Sequence, residues 1–315
     1  MKNLNIFRIL LFATYIFFFS KVHSQENALL YKVSSLKNEH SSYIFGTMHI
    51  MSEEAFFFPK AIEEYLLECD ALCLEVKEVR KQHVDPNMLF NENKPIIDYF
   101  SKSQWDSLIN WAEVSLLMNK TNFESNFKFA KPFILIQFLT LSSLPEIHKS
   151  HEIELESIAI SLGLKLKELE SVDKQLKLFD KIPYPPQIKM IMSILEDLDN
   201  AHANFNKMQT AYASQNLDSL CSFTDVSVFK PFETELLFKR NLNWIPEMMQ
   251  MMENEKTFFA VGAGHLCGDH GVLELLKNKK TLTEITSENN IQNWKKFFIE
   301  NAAISILSSC KSPID

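Results

Sequence analysis

Two histidines and a glutamate carry the first chemical hint. His49 closes the segment Gly46-Thr47-Met48-His49, and His265 closes Gly262-Ala263-Gly264-His265, so one Gly-x-x-His spacing occurs near both ends of the chain. Each follows a short β-branched and aromatic run, Ser42–Phe45 and Thr257–Val261, of the kind that forms a buried strand. The chain has only six glycines and places four of them between Gly262 and Gly271. Small residues at a strand's exit let the backbone turn tightly and leave the following imidazole uncovered. If the two strands are parallel neighbours, both imidazoles arrive at one sheet edge. Glu75, in the apolar run Ala71–Val76, adds a carboxylate at a third strand exit. Two imidazoles and a carboxylate suffice to hold a divalent metal with positions left for water, which the metal would acidify into a nucleophile. The same groups also suit metal-free chemistry, with one histidine as general base towards water and the carboxylate orienting it. Spacing does not choose between these, because ligands so far apart leave no local signature comparable to His-Glu-x-x-His.

The elements that would position these groups read in order. Leu29–Leu36 and Ser42–Phe45 form a hairpin leading into His49, Lys60–Cys69 has helical apolar spacing, and Ala71–Val76 reads as a third core strand. From about 95 to 255 the pattern is helical. It comprises Ser103–Met118, the apolar stretch Phe123–Leu141 interrupted by Pro132, Glu152–Leu162 stopping at Gly163, one long helix from Gln187 to about Gln215, and Glu233–Met252. Leu164–Leu169 is the one strand within that block, delivering Glu170 just before Ser171, which caps a helix through Phe179. Pro183, Pro185 and Pro186 read as a stiff connector. The methionines Met248, Met249, Met251 and Met252 suit adaptable core or groove filling. A helix at Val272–Asn278 and a strand near Thr281–Ile285 end the pattern. The predicted fold is α/β with α+β character: a central mixed sheet built from N- and C-terminal strands, with a large helical insertion over its active edge.

Composition bounds the setting. A chain of 315 residues with 46% apolar content buries a substantial core. Residues 1–24 have the form of a secretory signal peptide: Lys2 and Arg8 flank the start of the apolar run Ile9–Phe19, and Val22-x-Ser24 offers a cleavage site, leaving 25–315 as one domain. Cleavage after Ser24 makes the protein secreted or periplasmic. It leaves 29 basic against 40 acidic residues, a net charge of −11. An acidic chain without basic clusters is a poor partner for nucleic acid or anionic membranes. In Phe123–Leu141 the uncharged part after Lys131 is shorter than the ~20 residues a membrane span needs, so a buried helix is expected. Five widely spaced cysteines do not form a disulfide framework, and whether Cys69 and Cys73 or another pair is bridged stays open here. His148, His151, His202 and His270 lack comparable context and read as surface residues.

The chain resembles the TraB/GumN family, which includes the Tiki proteases. The motifs that carry the resemblance run in family order: Tyr43-Ile44-Phe45-Gly46-Thr47-Met48-His49, then Cys69-Asp70-Ala71-Leu72-Cys73-Leu74-Glu75, then Leu169-Glu170-Ser171 with Gln175, then Arg240-Asn241, and finally Phe259–Leu266. The resemblance implies a fold shared with erythromycin-esterase-like and ChaN-like proteins and metal-dependent peptide-bond hydrolysis, with manganese, cobalt or zinc as the cofactor. Carried over, His49, His265 and Glu75 are the metal ligands, and Arg240 and Glu170 steer substrate or polarise its carbonyl. The chain departs from relatives in having Ser150 and Glu152 where glycine and aspartate are usual, which puts Glu152's role in question. The expected partner is a peptide or small-molecule substrate. The alternatives are a haem or small-ligand binding protein using one histidine as axial ligand, and a metal-free esterase.

Overall fold

The computed structural model describes residues 28–35, 40–56, 58, 60–77, 84–91, 93–142, 144, 148–225, 230–279 and 282–287. Residues 1–24, expected to be a signal peptide, lie outside them. Its centre is a six-stranded mixed sheet in the order β6-β4-β7-β2-β1-β8. Here β1 is Leu30–Ser35, β2 Ser41–Thr47, β4 Ala71–Leu74, β6 Lys165–Glu168, β7 Thr257–Gly262 and β8 Leu282–Ser287. Strands β6, β4, β7 and β2 run parallel, while β1 is antiparallel to both β2 and β8. The central strands β4 and β7 are buried at every position. That is why they read as unbroken apolar runs: a parallel sheet covered on both faces has no polar side to alternate with. Met51–Ser52 (β3) and His148–Lys149 (β5) form a separate small antiparallel pair.

The register settles the meeting of the two Gly-x-x-His turns. Gly46 lies opposite Val261 and Thr47 opposite Gly262, so both strands end at the same edge. A tight turn is not what these glycines supply. Gly262 has φ −51°, open to any residue, and positive φ among the glycines is confined to Gly163 and Gly268. What they supply is room. A Cβ on Gly46 would lie 2.7 Å from Leu266 Cδ1, and one on Gly262 would lie 3.1 Å from His49 Nε2 and 3.3 Å from Glu75 Oε1.

Helices α1 (Lys60–Leu67), α2 (Pro86–Leu89), α3 (Lys102–Ser115), α4 (Lys120–Phe127) and α5 (Pro132–Ser142) come before β5, and α6 (His151–Ser161) follows it. Between β6 and β7 lie α7 (Val172–Asp180), α8 (Tyr184–Glu196), α9 (Leu198–Ala213), α10 (Leu217–Asp225) and α11 (Lys239–Asn254), and α12 (Val272–Lys277) precedes β8. A second core, with Trp105, Leu108, Phe123, Leu135 and Ile191 at its centre, holds α3, α4, α5 and α8 together apart from the sheet. The capping box of Ser101 and Gln104 starts α3.

Three expectations about this block are corrected. The single helix over Gln187–Gln215 is two, broken at Asp197, whose φ of −126° leaves the helical region. Pro185 and Pro186 sit in the first turn of α8 instead of a connector; there a missing N–H has no intrahelical partner to lose. His151 is not on the surface but fully buried, with Nδ1 3.1 Å from the Met48 carbonyl and its ring against Phe56 and Tyr212. Cys69 and Cys73 are free and buried, and the bridge is Cys221–Cys267, joining α10 to the turn after His265.

Candidate active site

His49, Glu75, His265, Arg240 and Glu170 come together at the exits of β2, β4, β7 and β6 and on the first turn of α11. Glu75 is the hub. Its Oε1 accepts from the Gly262 N–H at 2.8 Å, and its Oε2 accepts from Arg240 at 2.5 Å and from Gln175 at 3.3 Å. Both imidazoles face that same Oε1, His265 Nε2 at 3.6 Å and His49 Nε2 at 3.9 Å. Burial alone would raise the Glu75 pKa, but the pull of His265, Arg240 and His49 and the Gly262 N–H reverse this and bring it to about 2. Arg240 is equally committed. Its Nε donates to Glu170 at 2.7 Å, its second terminal nitrogen bonds both Glu170 and Glu75, and its first donates to the Leu236 carbonyl at 3.1 Å. That carbonyl belongs to the π-helical turn Thr234–Phe238 leading into α11. Its guanidinium also lies over the Trp244 ring, 4.8 Å from the centroid.

The two histidines are held in different ways. Asn241 Nδ2 donates to the carbonyls of His265 and His270, so its Oδ1 must be the atom 2.6 Å from His265 Nδ1. That amide therefore accepts from Nδ1–H and leaves the lone pair on Nε2, where Arg240 donates at 3.0 Å. Burial first, with Arg240 and His49 adding to it against Glu75, pushes His265 down to about 3, so it is neutral at physiological pH. His49 is the open one, with 61% of its side chain accessible. Its Nδ1 lies 2.7 Å from Glu152 Oε1, and Glu152 also accepts from Thr47 and, at 2.7 Å, from Ser150. The charge of Glu152, with its hydrogen bond and the charge of Glu75, raises the His49 pKa to about 9.

Glu152, Thr47, Ser150, Asn241, Gln175 and Trp244 thus complete a site of which the sequence pattern marked only part. Asn241 and Gln175 stand within family motifs, but Trp244 carries no motif and is found only by its ring, 4.4 Å from that of His265. The donors suit a divalent cation in kind, since both Nδ1 atoms are tied back and both Nε2 atoms face one carboxylate oxygen. As arranged, however, Arg240 occupies the approach to His265 Nε2. Among the described residues no group of three His, Cys, Asp or Glu closes tightly enough to hold a metal ion. Beside these groups opens a cavity of about 620 Å³, reaching from His49 and Arg240 to Phe205, Leu220 and Phe223.

No helix among the described residues is long and apolar enough to cross a membrane. No solved structure matches the chain. A stretch of 67 residues is 37% identical to a protein of Danio rerio named Metalloprotease TIKI2, covering 20% of this chain and only 13% of that relative's length. The sequence profile described as the TraB/PrgY/gumN family matches residues 29–284, which include every residue of the cluster around Glu75. The chain belongs to the TraB/PrgY/gumN family.

Proposed function

We propose that the protein is a hydrolase that splits peptide bonds at the His49 face of this cleft. One observation carries the reading: the single open imidazole of the cluster is tied through Nδ1 to the partly buried carboxylate of Glu152 and turns Nε2 towards Glu75 and the cavity. Glu152 holds the Nδ1–H tautomer and stabilises the cation that forms when Nε2 takes a proton from attacking water. The imidazolium then returns that proton to the leaving amine as the C–N bond breaks. Glu75, fixed by Gly262 and Arg240, supplies the acceptor that orients the water opposite His49. Arg240 and the Gly262 N–H keep Glu75 ionised and fixed in place.

A metal-dependent form of the same reaction is the second reading, favoured by the two Nε2 atoms facing Glu75 Oε1. His49, His265 and Glu75 would be the ligands, with Arg240 yielding His265 Nε2, and the cation would supply Lewis acidity. The TIKI2 likeness supports peptide-bond cleavage under either reading. The test is purified protein on a peptide library, after exhaustive chelation and again with manganese, cobalt or zinc. Turnover that survives chelation and is lost in Glu152→Gln selects the first reading; turnover restored only by a metal selects the second. Undiminished cleavage by a His49→Ala, His265→Ala double variant would refute both.

A further inference from the structure

The pocket beside the cluster is built for one kind of neighbour. Its far wall comes from Phe179 on α7, Phe205 and Met208 on α9, Leu220 and Phe223 on α10, and Leu237 in the π-helical turn. At about 620 Å³ it is within the ~300–1,000 Å³ that encloses a compact ligand. Among the described residues lining it, every charged side chain is already paired. His49 bonds Glu152 at 2.7 Å, Glu75 bonds Arg240 at 2.5 Å, and at the rim Lys230 bonds Glu233 at 2.8 Å. A charged group entering this pocket would lose its water beside side chains that are already paired, whereas an apolar group would gain contact with the aliphatic and aromatic wall.

We propose that the pocket selects an uncharged, bulky apolar group beside the bond to be cleaved, so that the substrate class is a peptide with a large aliphatic or aromatic residue flanking the scissile amide. This specificity rests on the hydrolase reading for its consequence, cleavage, but not for binding. The reacting groups line one end of the same space, so the residue that fills the pocket is the one adjoining the bond presented to His49.

The experiment uses blocked tetrapeptides of the form Ala-X-Ala-Ala, with X as Phe, Leu, Asp or Lys. Cleavage is followed with the wild-type protein, and binding is followed with His49→Ala by saturation-transfer NMR and calorimetry. The expected result is binding of the Phe and Leu peptides at least about tenfold tighter than the Asp and Lys peptides, the difference that burying a good apolar contact brings. A Phe223→Ser variant, checked for a native melting transition, should lose most of that preference. Equal binding across the series, tighter binding of a charged peptide, or an apolar preference untouched by Phe223→Ser in a folded protein would overturn the proposal. Selective binding of the apolar peptides with no cleavage, with or without metal, would sink the hydrolase reading while leaving the pocket's specificity standing.

Discussion

Glu152 and Arg240 do opposite electrostatic work on the two imidazoles, and each can be tested by a single substitution. Glu152 raises His49 to about 9, so as a base His49 becomes competent only as pH climbs through that value. Activity of the wild type is therefore expected to rise towards pH 9. Glu152→Gln keeps the hydrogen bond but removes the charge, and should move the inflection down towards the ordinary histidine value of ~6.5. It should also lower kcat/KM by roughly 10²-fold or more, the scale of a general-base contribution, as a pH–rate profile would show. An unchanged inflection would mean that His49 is not the titrating group. Arg240→Met instead leaves Glu75 and Glu170 buried without their cation. The cost is expected at ~3–5 kcal/mol, read as a fall in Tm, and no replacement by a neutral residue should restore it.

At the scale of elements, the junction of β2 with β7 and the bridge from α10 are the points of control. Gly262→Ala fits the backbone but places a methyl 3.1 Å from His49 Nε2, pressing into the gap between His49 and Glu75. Native folding by circular dichroism with a large loss of kcat is the expected outcome; full activity would show that the gap is not where the reaction occurs. Cys221–Cys267 closes a loop with a sequence separation of 46 and ties the pocket wall bearing Leu220 and Phe223 to the turn carrying His265. Chain entropy for a loop of this size gives ~4 kcal/mol. Reductant, or a Cys221→Ser, Cys267→Ser pair, should lower the denaturant midpoint accordingly, whereas Cys69→Ser, remote from any bridge, should not reproduce that loss by way of reduction.

For the whole molecule, the site groups together predict where stability peaks. His265 is depressed to about 3 and Glu75 to about 2, so the unfolded chain takes up their protons first, and stability falls on acidification from ~6.5 for the histidine and from ~4.5 for the carboxylate. His49 is raised, so its contribution is full below ~6.5 and is lost as pH rises through about 9. Thermal melts across pH are expected to peak near neutrality, and His49→Ala should flatten the alkaline side alone. A maximum that stays put and a slope that persists in His49→Ala would show that His49 is not coupled to Glu152 in solution.

What was legible in the sequence was whatever local pattern dictates. Thr257–Val261 and Ala71–Val76 are apolar without alternation because both faces of a parallel strand are covered. A Gly-x-x-His after Ser42–Phe45 and another after Thr257–Val261 paired His49 with His265 on the condition that those strands are parallel neighbours, and Ser171 announced its own helix. Glu75 stood out as the carboxylate at the exit of Ala71–Val76, and the family motifs gave Glu170 and Arg240 a place beside it. Tertiary structure decided the rest, because the rest depends on which side chains meet across the fold. Glu152 reaches His49 from 103 positions away, Asn241 fixes the tautomer of His265 from the preceding helix, and Cys221 bridges Cys267 while Cys69 and Cys73 stay free. His151 looks like a surface residue until the Met48 carbonyl and four aromatic neighbours enclose it. Strand identity follows from residues a few places apart, whereas the charge and proton state of a buried group are set by neighbours that only the folded chain brings within a few ångströms.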